Sequence, residues 1–156
     1  MNNTRRKFLK TSAMTGAVVA GIGAGILAPR NVMAAWPKAA FDATDMGAAL
    51  TGAIGSPEMI ESADIDIKAP AIAENGAVVP ITITCKIPGT ESITIMLPGN
   101  AAPLAATFVL SPRTEGFVST RVKMGKTSDV VVVVKAKGKQ YSAKKEVKVT
   151  IGGCGG

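Results

Sequence analysis

The sequence predicts an all-β sandwich of about seven antiparallel strands, preceded by a short helix and followed by a flexible C-terminal arm. Two observations carry that expectation. From residue 63 onward apolar and polar side chains alternate with period two, the period at which a half-buried strand presents successive residues to opposite faces. Turn residues recur every eight to twelve positions along the same stretch, the spacing of short strands folded into two packed sheets. A chain of 156 residues holds one such domain at most.

The first segment in order stands apart from that domain. Residues 4–10 read Thr-Arg-Arg-Lys-Phe-Leu-Lys, a weakly hydrophobic Ala/Gly/Val stretch runs from Ala13 to Ala28, and Arg30 and the small-residue site Val32-Met33-Ala34 precede Ala35. This is the pattern of a twin-arginine export signal over residues 1–34, and it predicts a periplasmic protein. The paired arginines before Phe-Leu-Lys, the modest hydrophobicity and the basic residue near the cleavage site separate it from a general secretory signal. The apolar run is shorter than the ~20 residues a spanning helix needs, which argues against a membrane anchor.

Charge changes meaning once the signal is set aside. The whole chain has 18 Lys and Arg against 11 Asp and Glu, a net +7 that by itself suggests a nucleic-acid or membrane-surface partner. Arg5, Arg6, Lys7, Lys10 and Arg30 belong to the signal, which holds no acid, so residues 35–156 keep 13 bases and 11 acids, a net +2. The remainder is split, −5 from Ala35 to Pro112 and +7 from Arg113 to Gly156. A basic second half suits anions or an acidic protein surface, or is simply the solvated face of strands. Aromatic residues are not interleaved with the bases and the chain is expected outside the cytoplasm, so neither nucleic acid nor membrane is expected as a partner.

Residues 35–151 form the predicted sandwich domain. Phe41 to Gly55 reads as one helix, with Asp42 and Thr44 as candidate N-caps, alanines and Leu50 at helical spacing, and Gly55 as the stop before Ser56-Pro57. Strands follow at 63–69, 78–87, 92–97, 104–110, 117–124, 130–137 and 141–151, with Pro70 to Gly76 as a turn. In the second of these Ile81, Ile83, Cys85 and Ile87 share one face and Thr82, Thr84 and Lys86 the other, so Cys85 is an inward, inert thiol that fills space. Val130 to Val134 is apolar on both faces, as in a central strand or one whose outer face meets another subunit. The last strand turns Val147, Val149 and Ile151 inward and Lys148 and Thr150 outward.

Chemistry is scarce elsewhere in the chain. There is no histidine, which removes the usual general base, the His-based triads and most zinc or copper ligand sets; Met46, Met59, Met96 and Met124 are scattered. No catalytic residue, metal site or cofactor is expected. What remains is Gly152-Gly153-Cys154-Gly155-Gly156. Glycine lacks Cβ and samples both signs of φ, so this segment reads as a mobile tether that carries Cys154 roughly 10 Å beyond Ile151. Four glycines at set positions arise by chance at ~2 × 10⁻⁵ for ordinary glycine usage, which sets aside an incidental tail. No base lies within five positions of Cys154, so its thiol suits activation by whichever active site it enters. Two other uses stay open: an interchain disulfide in an oxidising compartment, and a Cys85–Cys154 bridge that folds the tail back into the core.

The terminal IGGCGG, the preceding VSTRVKMGKTSDVVVVVKAKGKQYSAKKEVKVT, the segment IAENGAVVPITI and the twin-arginine leader together resemble the SoxY family, the sulfur-carrier subunit of the bacterial thiosulfate-oxidising (Sox) system. The resemblance covers essentially the whole chain, with no departure in the terminal motif. It implies an immunoglobulin-like β-sandwich that is not itself an enzyme. Cys154 would be the covalent attachment site for thiosulfate and its sulfur intermediates, and Gly152, Gly153, Gly155 and Gly156 the swinging arm. The implied partners are a smaller sandwich subunit of the SoxZ type without the cysteine arm, a thiosulfate-loading haem cytochrome, a dimanganese hydrolase that releases sulfate, and a molybdenum–haem sulfane dehydrogenase. The lysines from Lys135 to Lys148 are candidates for steering anions or acidic partners. The competing readings are an exported structural sandwich whose tail cysteine forms an interchain disulfide, and an anion-binding module without covalent chemistry.

Overall fold

The computed structural model describes residues 37–55 and 58–150. The expected export signal and the expected arm, with Cys154 and its four glycines, lie outside the described residues. Two helices come first, α1 (Lys38–Asp42) and α2 (Met46–Ile54). Seven substantial strands follow the predicted segments closely: β2 (Ile65–Lys68), β4 (Val79–Cys85), β5 (Thr90–Met96), β6 (Leu104–Val109), β7 (Gly116–Val122), β8 (Ser128–Ala136) and β9 (Lys139–Val149). Two further strands of two residues each, β1 (Ile60–Glu61) and β3 (Ile72–Ala73), run parallel to β9 at its two ends, and β3 falls inside the predicted turn at 70–76. All other pairings are antiparallel.

The larger sheet has the order β1-β9-β8-β5-β6, with β3 also on β9, and the smaller sheet is β2-β4-β7. Their inner faces make the main core. Ile65, Ile67, Val79, Ile81, Ile83, Val118 and Val122 from the small sheet meet Ile93, Ile95, Val130, Val132, Val134 and Val147 from the large one. The expected immunoglobulin-like sandwich is therefore what the chain adopts, and Cys85, 8% exposed, belongs to its core as the alternation of β4 implies.

The outer face of the large sheet is apolar too. Met96, Leu104, Val131 and Val133 form a second core with Ala40, Ala49 and Leu50 of the helix pair. The choice left open for the valine strand is thus settled at Val131 and Val133, whose cover is the chain's own helices and not another subunit. Fully burying a side chain of this size is worth about 1.5–3 kcal/mol, so the helices contribute to the stability of the sheet they cover.

Those helices correct the single helix expected from Phe41 to Gly55. Ala43 is extended at φ −65° and ψ 134°, and Asp45, not Asp42 or Thr44, caps α2, its Oδ2 accepting the Ala48 N–H at 3.0 Å. Asp42 instead pairs with Lys38 one turn earlier. The break lets α1 and α2 meet closely: a Cβ on Gly52 would stand 2.9 Å from the Ala40 Cβ. Gly55 ends α2 in the left-handed region at φ 85°, as the stop signal implies.

β8 and β9 are joined by Lys137 and Gly138, both at positive φ (51° and 72°), the pair of left-handed residues that a two-residue hairpin uses to match strand twist. Two outcomes are expected in denaturant titrations. Met96→Ala, which empties a fully buried position shared by the sheet and the helices, lowers unfolding free energy by roughly 2–5 kcal/mol. Gly138→Val lowers it by about 1–2 kcal/mol because a Cβ disfavours that φ, while Gly138→Asn stays close to wild type.

Candidate functional site

The described chain stops at Thr150, one residue past β9 and four before Cys154, so the structural question is what holds that strand end. Successive backbone groups of a strand point to opposite sides, and each side is met differently. Toward β3, the Lys148 N–H donates to the Ala71 carbonyl at 3.0 Å and the Thr150 N–H to the Ala73 carbonyl at 3.1 Å. On the other side β8 has ended, since Ser128 opposite Val147 is its first pair. A side chain takes over there: Thr127 Oγ1 accepts the Val149 N–H at 2.9 Å and lies 3.4 Å from the Val149 carbonyl, to which the hydroxyl donates.

Thr127 is itself tied down through the loop that precedes β8. Asn100 uses both ends of its amide on that loop, Nδ2 donating to the Lys123 carbonyl at 2.7 Å and Oδ1 accepting the Gly125 N–H at 2.8 Å. The Met124 N–H donates to the Gly76 carbonyl at 2.7 Å. Gly76 has no room for a side chain: a Cβ there would fall 2.4 Å from the Met124 oxygen and 2.8 Å from Val149 Cγ1. Asn75 shapes the approach, its Oδ1 accepting the Ala77 N–H at 2.9 Å in a local side-chain turn. Three loops, around residues 75, 100 and 125, therefore converge on the end of β9.

This end is open to solvent and carries exposed charge of both signs, with Glu74 beside the β3 strand and lysines on the facing loop. A shallow cavity of about 430 Å³ is lined by Gly99 to Ala102 with Lys123, Gly125 and Lys126. Both lysines are exposed, and Lys148 lies on the outer face of β9 beside Val149. Exposed ammonium groups are hydrated point charges that attract anions without fixing one in place. Three of the lysines from Lys135 to Lys148, the candidates for steering anions or acidic partners, have defined local settings. Lys145 Nζ donates to the Ile67 carbonyl at 3.2 Å, Lys135 lies 3.6 Å from Glu91, and Lys137 occupies the hairpin turn.

Cys85 lies away from this end. It is the last residue of β4, opposite Gly116, whereas Val79 at the start of β4 lies three residues from Gly76. The strand between them spans about 20 Å. Its Sγ is 3.4 Å from Thr90 Oγ1, at the edge of a cavity of about 360 Å³ bounded by Ile87, Pro88, Thr114, Glu115 and Phe117. Among the described residues no group of three or more His, Cys, Asp or Glu is placed to hold a metal ion. The Thr127 bond to Val149 has no counterpart in the sequence reading: the partners are 22 residues apart, and no local pattern marks such a pair.

Comparison with known proteins adds the identity of the fold's owner. The model of the family described as "Sulfur oxidation protein SoxY" matches residues 50–154. Among solved structures, the sulfur carrier protein SoxY from Chlorobium limicola f thiosulfatophilum is 50% identical, with a TM-score of 0.61 over 66% of this chain and 94% of that one. A superoxide reductase (neelaredoxin) from Ignicoccus hospitalis is 16% identical, with a TM-score of 0.49 over 55% of this chain and 80% of its own. That likeness is too distant to inform function. No curated protein matches. With the family match running across two thirds of the sequence and as far as Cys154, the chain belongs to the SoxY family.

Proposed function

We propose that the protein is a periplasmic sulfur carrier which binds thiosulfate and its sulfur intermediates covalently on Cys154 and presents them to partner enzymes of thiosulfate oxidation. The observation that carries this reading is the family match that extends through residue 154, over a terminal sequence in which the thiol stands between two pairs of glycines. The solved relative at 50% identity, itself a sulfur carrier protein, supports the same role. A rigid sandwich end with Val149 and Thr150 hydrogen-bonded on opposite sides suits a body whose task is to present the segment that follows.

On this reading the chain performs no catalysis and holds no cofactor. In the loading step the Cys154 thiolate bonds to the sulfane sulfur of thiosulfate, giving an S-thiosulfonate while two electrons leave to the haem cytochrome. In the release step water adds to the terminal sulfone sulfur at the dimanganese hydrolase and the bond between the two cargo sulfurs breaks. Sulfate and its protons depart, and the bonding pair stays on a Cys154 persulfide. Thiol–disulfide chemistry of this kind depends on an accessible thiolate, which glycine neighbours leave unobstructed. The persulfide then passes to the molybdenum–haem dehydrogenase or to another acceptor, with the smaller sandwich subunit as the standing partner. Export through the twin-arginine signal of residues 1–34 delivers the chain folded.

Cys154→Ser is expected to abolish thiosulfate-dependent electron transfer in a reconstituted system while the variant folds with an unchanged Tm. Retained activity would return the tail cysteine to the alternative role of an interchain staple. Cys85→Ala is the complementary case: sulfur carriage persists and stability falls by roughly 1 kcal/mol, because that thiol only fills the core.

A further inference from the structure

β9 outlasts its main neighbour. Pairing with β8 begins at Ser128 opposite Val147, so the backbone groups of Val149 that point to that side have no strand to meet. The Thr127 hydroxyl supplies both halves of the missing pairing, accepting from the Val149 N–H at 2.9 Å and donating toward its carbonyl at 3.4 Å. On the opposite side, among the described residues, β3 and its flank hold on through the Ala71 and Ala73 carbonyls, the latter also accepting from Thr150 Oγ1 at 3.5 Å. A parallel bridge of two residues is a weak restraint by itself, since parallel pairing is less stable per residue than antiparallel pairing and so short a strand adds little cooperativity.

From this geometry we infer that Thr127 is a positioning residue that fixes the pivot of the carrier arm at Val149 and Thr150. The inference rests on the reading of Cys154 as the sulfur-bearing residue and adds what fixes the strand end from which that residue is presented. Asn100 is the support behind it, because its two amide bonds hold the Lys123–Gly125 loop from which Thr127 projects. With the hydroxyl present, β9 is held from both sides as far as Val149 and Thr150. Without it, the strand end is held from one side only and frays back toward the last β8 pair at Val147, which frees two or three residues of the strand end. Each further residue that has to be ordered when the arm enters a narrow active-site cleft lowers the rate of productive entry by about tenfold, if its backbone freedom is lost completely. Partial burial of the Val149 side chain limits that loss, so a net effect of three- to tenfold is expected.

The test uses the full-length exported protein with Thr127→Val, which keeps the shape and removes the hydroxyl, and Thr127→Ser, which keeps the hydroxyl. The expected result is amide exchange at Val149 at least tenfold faster in Thr127→Val and close to wild type in Thr127→Ser, with Tm within a few degrees in both. Alkylation of Cys154 by a small neutral reagent stays unchanged. The kcat/KM of a partner enzyme acting on the loaded carrier falls three- to tenfold in Thr127→Val and returns in Thr127→Ser. Wild-type exchange at Val149 in Thr127→Val overturns the clamp, and accelerated exchange with undiminished kcat/KM overturns its role as a pivot. Wild-type sulfur oxidation in Cys154→Ser overturns the carrier reading and the pivot with it, so the two failures are told apart.

Discussion

Burial of β5 and β8 on both faces is the constraint around which the molecule is arranged. Ile93, Ile95, Val130, Val132 and Val134 face the small sheet, while Met96, Val131 and Val133 face the other way, and all are buried. A sheet of this kind is stable only if both faces are covered, and one chain has to supply both covers or find one on a partner. Here the small sheet covers one face and α1 and α2 the other. Of the two buried polar residues of β5, Ser92 and Thr94, the fully buried Thr94 on the helix side is satisfied by Thr107 across the β5–β6 pair at 3.1 Å.

This arrangement leaves the two ends of the sandwich to the loops, and they differ. At one end β4 finishes on Cys85, beside Thr90 and the half-exposed Phe117. At the other, three loops converge on the last residues of β9 through backbone bonds, one asparagine and one threonine hydroxyl. The conformational order of the core is thereby passed along β9 to its final residue. A carrier gains from that order, because a group presented from a body with no slack of its own is oriented more efficiently.

Much of this was legible in the residue pattern, for definite reasons. The alternation Ile81, Ile83, Cys85 against Thr82 and Thr84 specifies an inward face because side-chain period in a strand is two, whereas β8 is marked by its continuous valine run. Elements of two residues, β1 and β3, escape because so short a run has no period. The helix break was hidden because Asp45, outside the expected caps Asp42 and Thr44, can cap as readily as either; tertiary contact between Gly52 and Ala40 favours the arrangement in which it does. Val131 and Val133 announced a buried outer face without naming its cover, since apolarity carries no information about the partner. Thr127 was invisible for a related reason, its role depending on where β8 stops relative to β9. Cys154 was the opposite case, marked by composition alone.

The central claim is that sulfur travels on Cys154, and the mass of the protein reads it directly. Intact-mass and peptide-mass measurement of the carrier recovered from cells oxidising thiosulfate is predicted to show sulfur and thiosulfonate additions confined to the C-terminal peptide that contains Cys154, reversible by reductant. A chain whose C-terminal peptide is always either unmodified or joined only to a second copy of itself would contradict the account.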